Sequence, residues 1–300
     1  MREHFGIRAN VVFLFTCLIA SVGCSHAEKR HDLPTVKLSA PIELRLKAEM
    51  GRTESVDYLH KSTSDSFEDR DVRRRTEDML AFTSQAETIK VEPQGGAGGI
   101  GTFTQVITTS KKIGNSDLHD FAMPEPGEKH EVTADSRGRI LKSGEYPPNS
   151  LFYVPPVSLP EGPVAIGDTW AMQAAWLSLD NMIPYQLDMV SILKGVYECG
   201  DDQCADVELS GEVGFQGSLN VAMSFRSTWK GRMLFALKTG TVAWSRVDSE
   251  ERFIADNTRR DVNSCLESVL KAPTSVKLPA GYDSPKCDPK PAVDTQVATD

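Results

Sequence analysis

The sequence predicts a mainly β fold, with long antiparallel strands and little helix. Three observations carry this. First, residues 42–49 alternate strictly: Ile42, Leu44, Leu46 and Ala48 share one parity, and Glu43, Arg45, Lys47 and Glu49 share the other. A period of two belongs to a strand with one face in a core and the other in water. Second, residues 101–109 read G-T-F-T-Q-V-I-T-T, rich in the β-branched and aromatic residues that fit a pleated surface. Third, comparable runs recur at 131–133, 139–143, 168–178, 185–197, 205–213, 218–229, 232–237 and 241–247, separated by turn-forming residues.

The chain before this body is of another kind. Arg2 and Arg8 flank the start of an apolar run from Val11 to Val22, broken only by Thr16 and Ser21. This is the charged-then-apolar layout of a secretory signal peptide, and it is shorter than the ~20 apolar residues of a transmembrane helix. The run ends Ser21-Val22-Gly23-Cys24, which resembles the lipobox of bacterial lipoproteins, with Ser21 where that motif usually has leucine. The resemblance implies that residues 1–23 are a cleaved signal and that Cys24 carries a thioether-linked diacylglyceryl group. Palmitate-type chains would then hold the protein to a membrane. At about 0.8 kcal/mol per buried CH₂, one chain anchors marginally and two or more anchor stably. Ser25, not aspartate, follows the cysteine. By the sorting pattern of Gram-negative lipoproteins this implies the periplasmic face of the outer membrane. The competing reading is a plain cleaved signal with an incidental cysteine. Residues 24–40 are polar around Pro34 and read as a lipidated tether.

The remainder is long enough for one large or two modest domains. Residues 41–146 read as a first β repeat, 147–163 as a proline-rich connector, and 164–272 as a second β repeat. Two stretches suggest the repetition: 131–143 and 233–245 each read as strand, glycine-containing turn, strand, with Ala134, Gly138, Ile140 and Ser143 aligned on Ala236, Gly240, Val242 and Ser245. Residues 71–85 fit either a helix or a long polar strand, and 262–270 fit a short helix. Residues 273–300 are proline-rich and polar, and read as mostly disordered beyond Cys287.

Of six cysteines, Cys17 leaves with the signal and Cys24 is the lipidation candidate. Cys199, Cys204, Cys265 and Cys287 remain, an even number that fits an oxidising compartment. Spacing suggests Cys199–Cys204 across a hairpin and Cys265–Cys287 as a staple for the tail, while the other pairings stay open. Zinc is disfavoured because no C-x-x-C pair and no nearby histidine exist.

The body resembles bacterial lipoproteins built from two curved β-sheet repeats, and more weakly the periplasmic half-barrel carriers of lipids and lipoproteins. The residues behind this are Ile166-Gly-Asp-Thr-Trp170, the turn from Tyr197 to Cys204, and the strand–Gly–strand endings. The likeness covers about residues 42–255. It implies curved, half-barrel-like sheets and transfers no catalytic residue.

Candidate chemistry is sparse. Gly96 to Gly101 satisfies G-x-G-x-x-G, but a strand-like run follows where a dinucleotide site needs a helix. Asp117, His119, Asp120 and His130 form the cluster that could hold a metal or act as a base, in a hydrolase. Arg73, Arg74 and Arg75 are flanked by Glu68, Asp69, Asp71, Glu77 and Asp78, and read as a solvated, locally neutral face. A formal charge of −9 argues against nucleic acid as a partner. Phe225, Trp229, Met233 and Phe235 fall on one strand face and are the candidate lining of an apolar concavity. The expectation is a non-enzymatic, membrane-anchored lipoprotein without cofactor. It would bind a hydrophobic ligand or support envelope assembly. The alternatives are a protein-interaction lipoprotein with a filled core, and a metal-assisted hydrolase.

Overall fold

The computed structural model describes residues 34–68, 72–92, 101–144, 159–177, 184–215, 223–255, 258–273 and 275–288. Cys24, the two tether histidines and the start of the glycine-rich stretch at 96–101 lie outside the described residues. Eleven strands form: β1 (Thr53–Glu68), β2 (Val72–Glu92), β3 (Thr102–Ile113), β4 (His130–Asp135), β5 (Ile140–Ser143), β6 (Thr169–Leu177), β7 (Pro184–Cys199), β8 (Asp202–Phe215), β9 (Met223–Ala236), β10 (Thr241–Ala255) and β11 (Thr258–Ala272). Among the described residues there is no α-helix, only a 3₁₀ turn at Leu118–Phe121.

All eleven strands join one open antiparallel sheet in the order β5-β4-β3-β2-β1-β11-β10-β9-β8-β7-β6. Neighbours in sequence are neighbours in space except at the centre, where β1 pairs with β11 from Ser55↔Ala272 to Glu68↔Thr258. That ladder fuses the five strands of the first half to the six of the second. Strands of 14 to 21 residues are long for a sheet, whose usual strand has ~5–6.

Two local expectations change, and one open alternative is decided. Residues 262–270 are the middle of β11, not a helix. Their apolar spacing fits a helix, but β1 and β10 flank them on both sides and the ladder overrides local preference. Residues 72–85 resolve to strand, as part of β2. Residues 42–48 belong to no ladder strand: Ile42 makes only an isolated bridge to Val164. The alternation is real, since Leu44 is fully buried while Glu43 and Lys47 are exposed. It reports an extended strap with one side against the core.

That strap runs across one end of the sheet. Val36 N–H donates to the Val196 carbonyl, Ile42 and Val164 exchange bonds of 2.8 Å, Leu46 N–H reaches Ser136, and Lys47 N–H reaches Gly240. Gly240 is in the left-handed region (φ 67°), and a Cβ there would lie 2.5 Å from the Lys47 side chain. The strap thus ties β7, the β4–β5 turn and the β9–β10 turn together. Arg45 anchors it further, donating to the carbonyls of Pro160 (2.7 Å) and Glu161 (2.5 Å).

The two sheet faces carry different cover. Register places Gly231, Val247, Leu266, His60 and Leu80 in one cross-strand row, on the face that meets the strap. On this strap face Leu44, Leu159 and Val164 pack on Leu193, Val196, Val207, Met233 and Phe235. Farther along it, Leu118 covers Leu80 and Phe82. On the opposite face the tail segment with Val276, Leu278 and Tyr282 packs on Leu234, Trp244 and Val269. Two disulfides form, Cys199–Cys204 and Cys265–Cys287. The second pins the tail to β11.

Candidate functional site

The four aromatic and thioether candidates share the strap face, as their common parity requires. Their surroundings differ. Met233 is 2% exposed and Phe235 fully buried, and the side chains against them come from the strap and from residues 159–164. That end of the face is filled by the chain itself. Phe225 and Trp229 are half-buried at the other end, packed with Leu187, Met189, Leu209, Val213 and Val247. Phe225 meets Tyr185 edge-on at 5.1 Å, and Tyr185 stacks on Phe215 at 5.5 Å. Trp229 donates its indole N–H to the Ser227 hydroxyl at 2.6 Å.

Beside them, on β10, β11 and β1, the strap face is polar. Buried hydroxyls pair across strands: Ser245 with Ser268 at 2.6 Å, and Ser249 with Ser264 at 2.7 Å. Arg260 donates to Ser64 at 2.8 Å. Glu251 stands in this row. Burial pushes its carboxyl up, while the Ser249 hydroxyl, Arg260 and the Ser227 hydroxyl oppose that shift. The signal for this row is present in the sequence as the alternation Ser62-x-Ser64-x-Ser66. An S-x-S-x-S pattern reads as a solvated face until its cross-strand partners are known. His60, in the same β1 face, is edge-on to Phe121 at 5.0 Å. Burial holds its imidazole below the usual histidine range against the opposing charge of Asp78, and its Nδ1 is buried without a hydrogen-bond partner.

Of the histidine and aspartate candidates, the structure brings Asp117 and His119 together and gives His130 a different partner. His119 contacts Asp117 through Nδ1 and Glu128 through Nε2, each at 2.9 Å. Its pKa is raised, by the Glu128 hydrogen bond first, with the Asp117 and Glu128 charges adding to it against burial. His130 instead pairs through Nε2 with Ser143 at 2.7 Å, across the β4–β5 hairpin. Among the described residues no group of three or more His, Cys, Asp or Glu could hold a metal ion. The arginine run is exposed, and Arg73 and Arg75 both reach Asp65 on the neighbouring strand, whose side chain is 4% exposed. Asp65 is thus a cross-strand counter-charge that the sequence alone does not show.

A shallow groove of about 510 Å³ opens on the tail side of β6–β9, where Gln173, Asp188, Val190, Glu212, Thr228 and Lys230 meet. Gln173 donates to Asp188 at 2.8 Å.

No protein-family model and no curated protein matches this chain. Among solved structures, an outer-membrane channel from Pseudomonas putida F1 aligns over 78% of this chain and 99% of its own, at 10% identity and a TM-score of 0.19. A superposition that loose carries no argument about fold or function.

Proposed function

We propose that the chain is a lipid-anchored lipoprotein on the periplasmic face of a Gram-negative outer membrane, and that it works through protein contacts. The observation carrying the second part is the filled end of the strap face. Leu44 and Leu159, both fully buried, and Val164 occupy the apolar surface around Met233 and Phe235 that a carrier would leave for its ligand. The lipobox-like Ser21-Val22-Gly23-Cys24 supports the anchor. Two disulfides in a chain with that leader fit an oxidising compartment.

The half-buried cluster of Tyr185, Phe215 and Phe225 favours a second reading, a hydrophobic ligand held at that end. One experiment addresses both. The full-length chain and Cys24→Ala are expressed in a Gram-negative host, fractionated, and analysed by native mass spectrometry. The anchor predicts that wild type stays with membranes and the variant does not. Protein contact predicts a clean apo mass. Co-purified lipid that disappears in Phe225→Ala would make the carrier reading the better one.

A further inference from the structure

We propose that the segment from Gly114 to Met123 is an acid-released cap: a proton taken up by His60, the histidine it covers, lifts it from β1 and β2 and bares the apolar surface of Tyr58, Leu80 and Phe82. Such a device works whatever anchors the chain and whatever it binds.

The seat of the cap is apolar. Leu118 is fully buried on Leu80 and Phe82, and Phe121 and Met123 pack beside it with Tyr58. Tyr58 stacks on Phe82 at 4.6 Å. His60 stands within this seat. Leu80 on β2 and Leu266 on β11 lie opposite it, and the Phe121 ring of the cap meets it at 5.0 Å. Its Nδ1 is buried and has no hydrogen-bond partner. A neutral imidazole can leave a bare lone pair on that nitrogen, but an imidazolium carries N–H on both nitrogens. Protonation would therefore set a charged donor against apolar neighbours, a costly arrangement that water relieves once the cap lifts. The cap also holds strain that release would relax. Ala122 is the one non-glycine residue at positive φ (53°) among the described residues.

The groups around His60 do little to hold a proton there. On β2, Asp78 favours it, but that carboxylate is exposed and accepts from the Ser116 hydroxyl. Burial outweighs Asp78 and keeps the imidazole below the usual histidine range. On β1, burial raises the Tyr58 phenol, so it stays neutral. On β11, Leu266 is flanked by Ser264 and Ser268, whose hydroxyls pair with Ser249 and Ser245. In the cap, Asp117 and Glu128 turn to His119, Glu125 turns to Lys112 and the Leu118 N–H, and Asp120 makes a contact of its own.

The two histidines act with opposite sign. The covered His60 has a lowered pKa, so closure is fully favoured above the ordinary histidine range and is lost as pH falls below it. His119 has a raised pKa, so its clamp is fully present below the ordinary range and is lost as pH rises through the folded value. Below about pH 6.5, His119 is charged with the cap open or closed and adds no further slope. Asp117 and Glu125 have lowered pKa values and stay ionised at mild acidity. His60 therefore governs closure from about pH 6.5 to about pH 5.

The test is hydrogen-exchange mass spectrometry on the full chain in detergent at pH 6.5 and pH 5, corrected for the intrinsic pH dependence of exchange. Protection of residues 114–123 should fall about tenfold at pH 5, while that of β10 holds. His60→Leu, which takes no proton, should abolish the fall, and His60→Gln serves if the leucine variant does not fold. His119→Gln should leave the fall in place, since its clamp adds no slope in this range. Undiminished protection of 114–123 in wild type, the same fall in both His60 variants, or a parallel loss across β10 would overturn the proposal.

Discussion

Asp202 concentrates more structural work than any residue singled out in the sequence. It is 5% exposed and joins two turns. Its carboxylate accepts from Gln203 N–H (2.7 Å), Lys238 N–H (2.7 Å), Thr239 N–H (2.8 Å) and the Thr239 hydroxyl (2.6 Å). The β7–β8 hairpin is thereby fixed to the β9–β10 turn, and through Gly240 to the strap. Burial works against the charge, yet the Thr239 hydroxyl and the three amides outweigh it and hold the carboxyl below its ordinary range. Asp202→Ala leaves buried donors without an acceptor, and the expected loss is about 2–3 kcal/mol. The sign of the pH dependence follows from the depressed pKa. The stabilisation is present above the ordinary carboxylate range and is lost as pH falls through the folded value. Urea titrations of wild type and variant from pH 8 to pH 3 should therefore converge toward the acid end, and a constant gap would refute this role. In sequence, Asp202 is one of two aspartates in a hairpin turn, and nothing local shows that its four donors include three from 36 or 37 residues downstream. The same limit hid Glu251 and the Asp65 pairing. Each depends on a partner strand, and register is invisible in one sequence read alone.

At the scale of elements, what depends on local period was legible and what depends on cover was not. The parity of Phe225, Trp229, Met233 and Phe235 correctly put them on one face, because alternation is a property of the strand itself. Whether that face is open or filled depends on a strap nearly two hundred residues upstream. Alternation at 42–48 reports the burial correctly, but the segment is an extended strap where the period predicts a half-buried strand. The tail up to Cys287 is where spacing and structure agree: the Cys265–Cys287 staple forms, and Tyr282 sits edge-on against Trp244 at 4.8 Å, a seat the sequence does not show. Beneath it, burial raises the Glu267 carboxyl, which accepts the Trp244 indole N–H at 2.8 Å. Closing a loop with a separation of 22 residues is worth about 3 kcal/mol in the chain-entropy account. The double variant Cys265→Ser/Cys287→Ser should lose about that much and become sensitive to trypsin at Lys277. The Cys199–Cys204 bridge, with a separation of five, should persist and mark the hairpin as intact. Unchanged melting and unchanged cleavage would mean that packing alone holds the tail.

For the whole molecule, the decisive feature is the β1–β11 ladder at the centre of the sheet. It joins strands about two hundred residues apart in the chain, and every other ladder joins consecutive strands. Among the described strands, the only consecutive pair that is not adjacent is β5 and β6, which stand at opposite edges. The chain thus passes from one half to the other between the two edge strands, while the ladder between the halves joins residues far apart in sequence. The halves should then not need that link once folded. A protease site inserted between positions 144 and 159 and cut after folding should leave two fragments that co-purify. They should melt in one transition, within a few degrees of the uncut chain, because the seam pairs each residue from Val56 to Glu68 and the strap ties both halves at one end. Folding from the separated fragments should be slow or fail. Neither half alone can cover the long edge that the other supplies, and contacts of such sequence separation form late. If the cut fragments separated under native conditions, or melted as two independent transitions, the seam would be a contact between two finished domains and not the interior of one sheet.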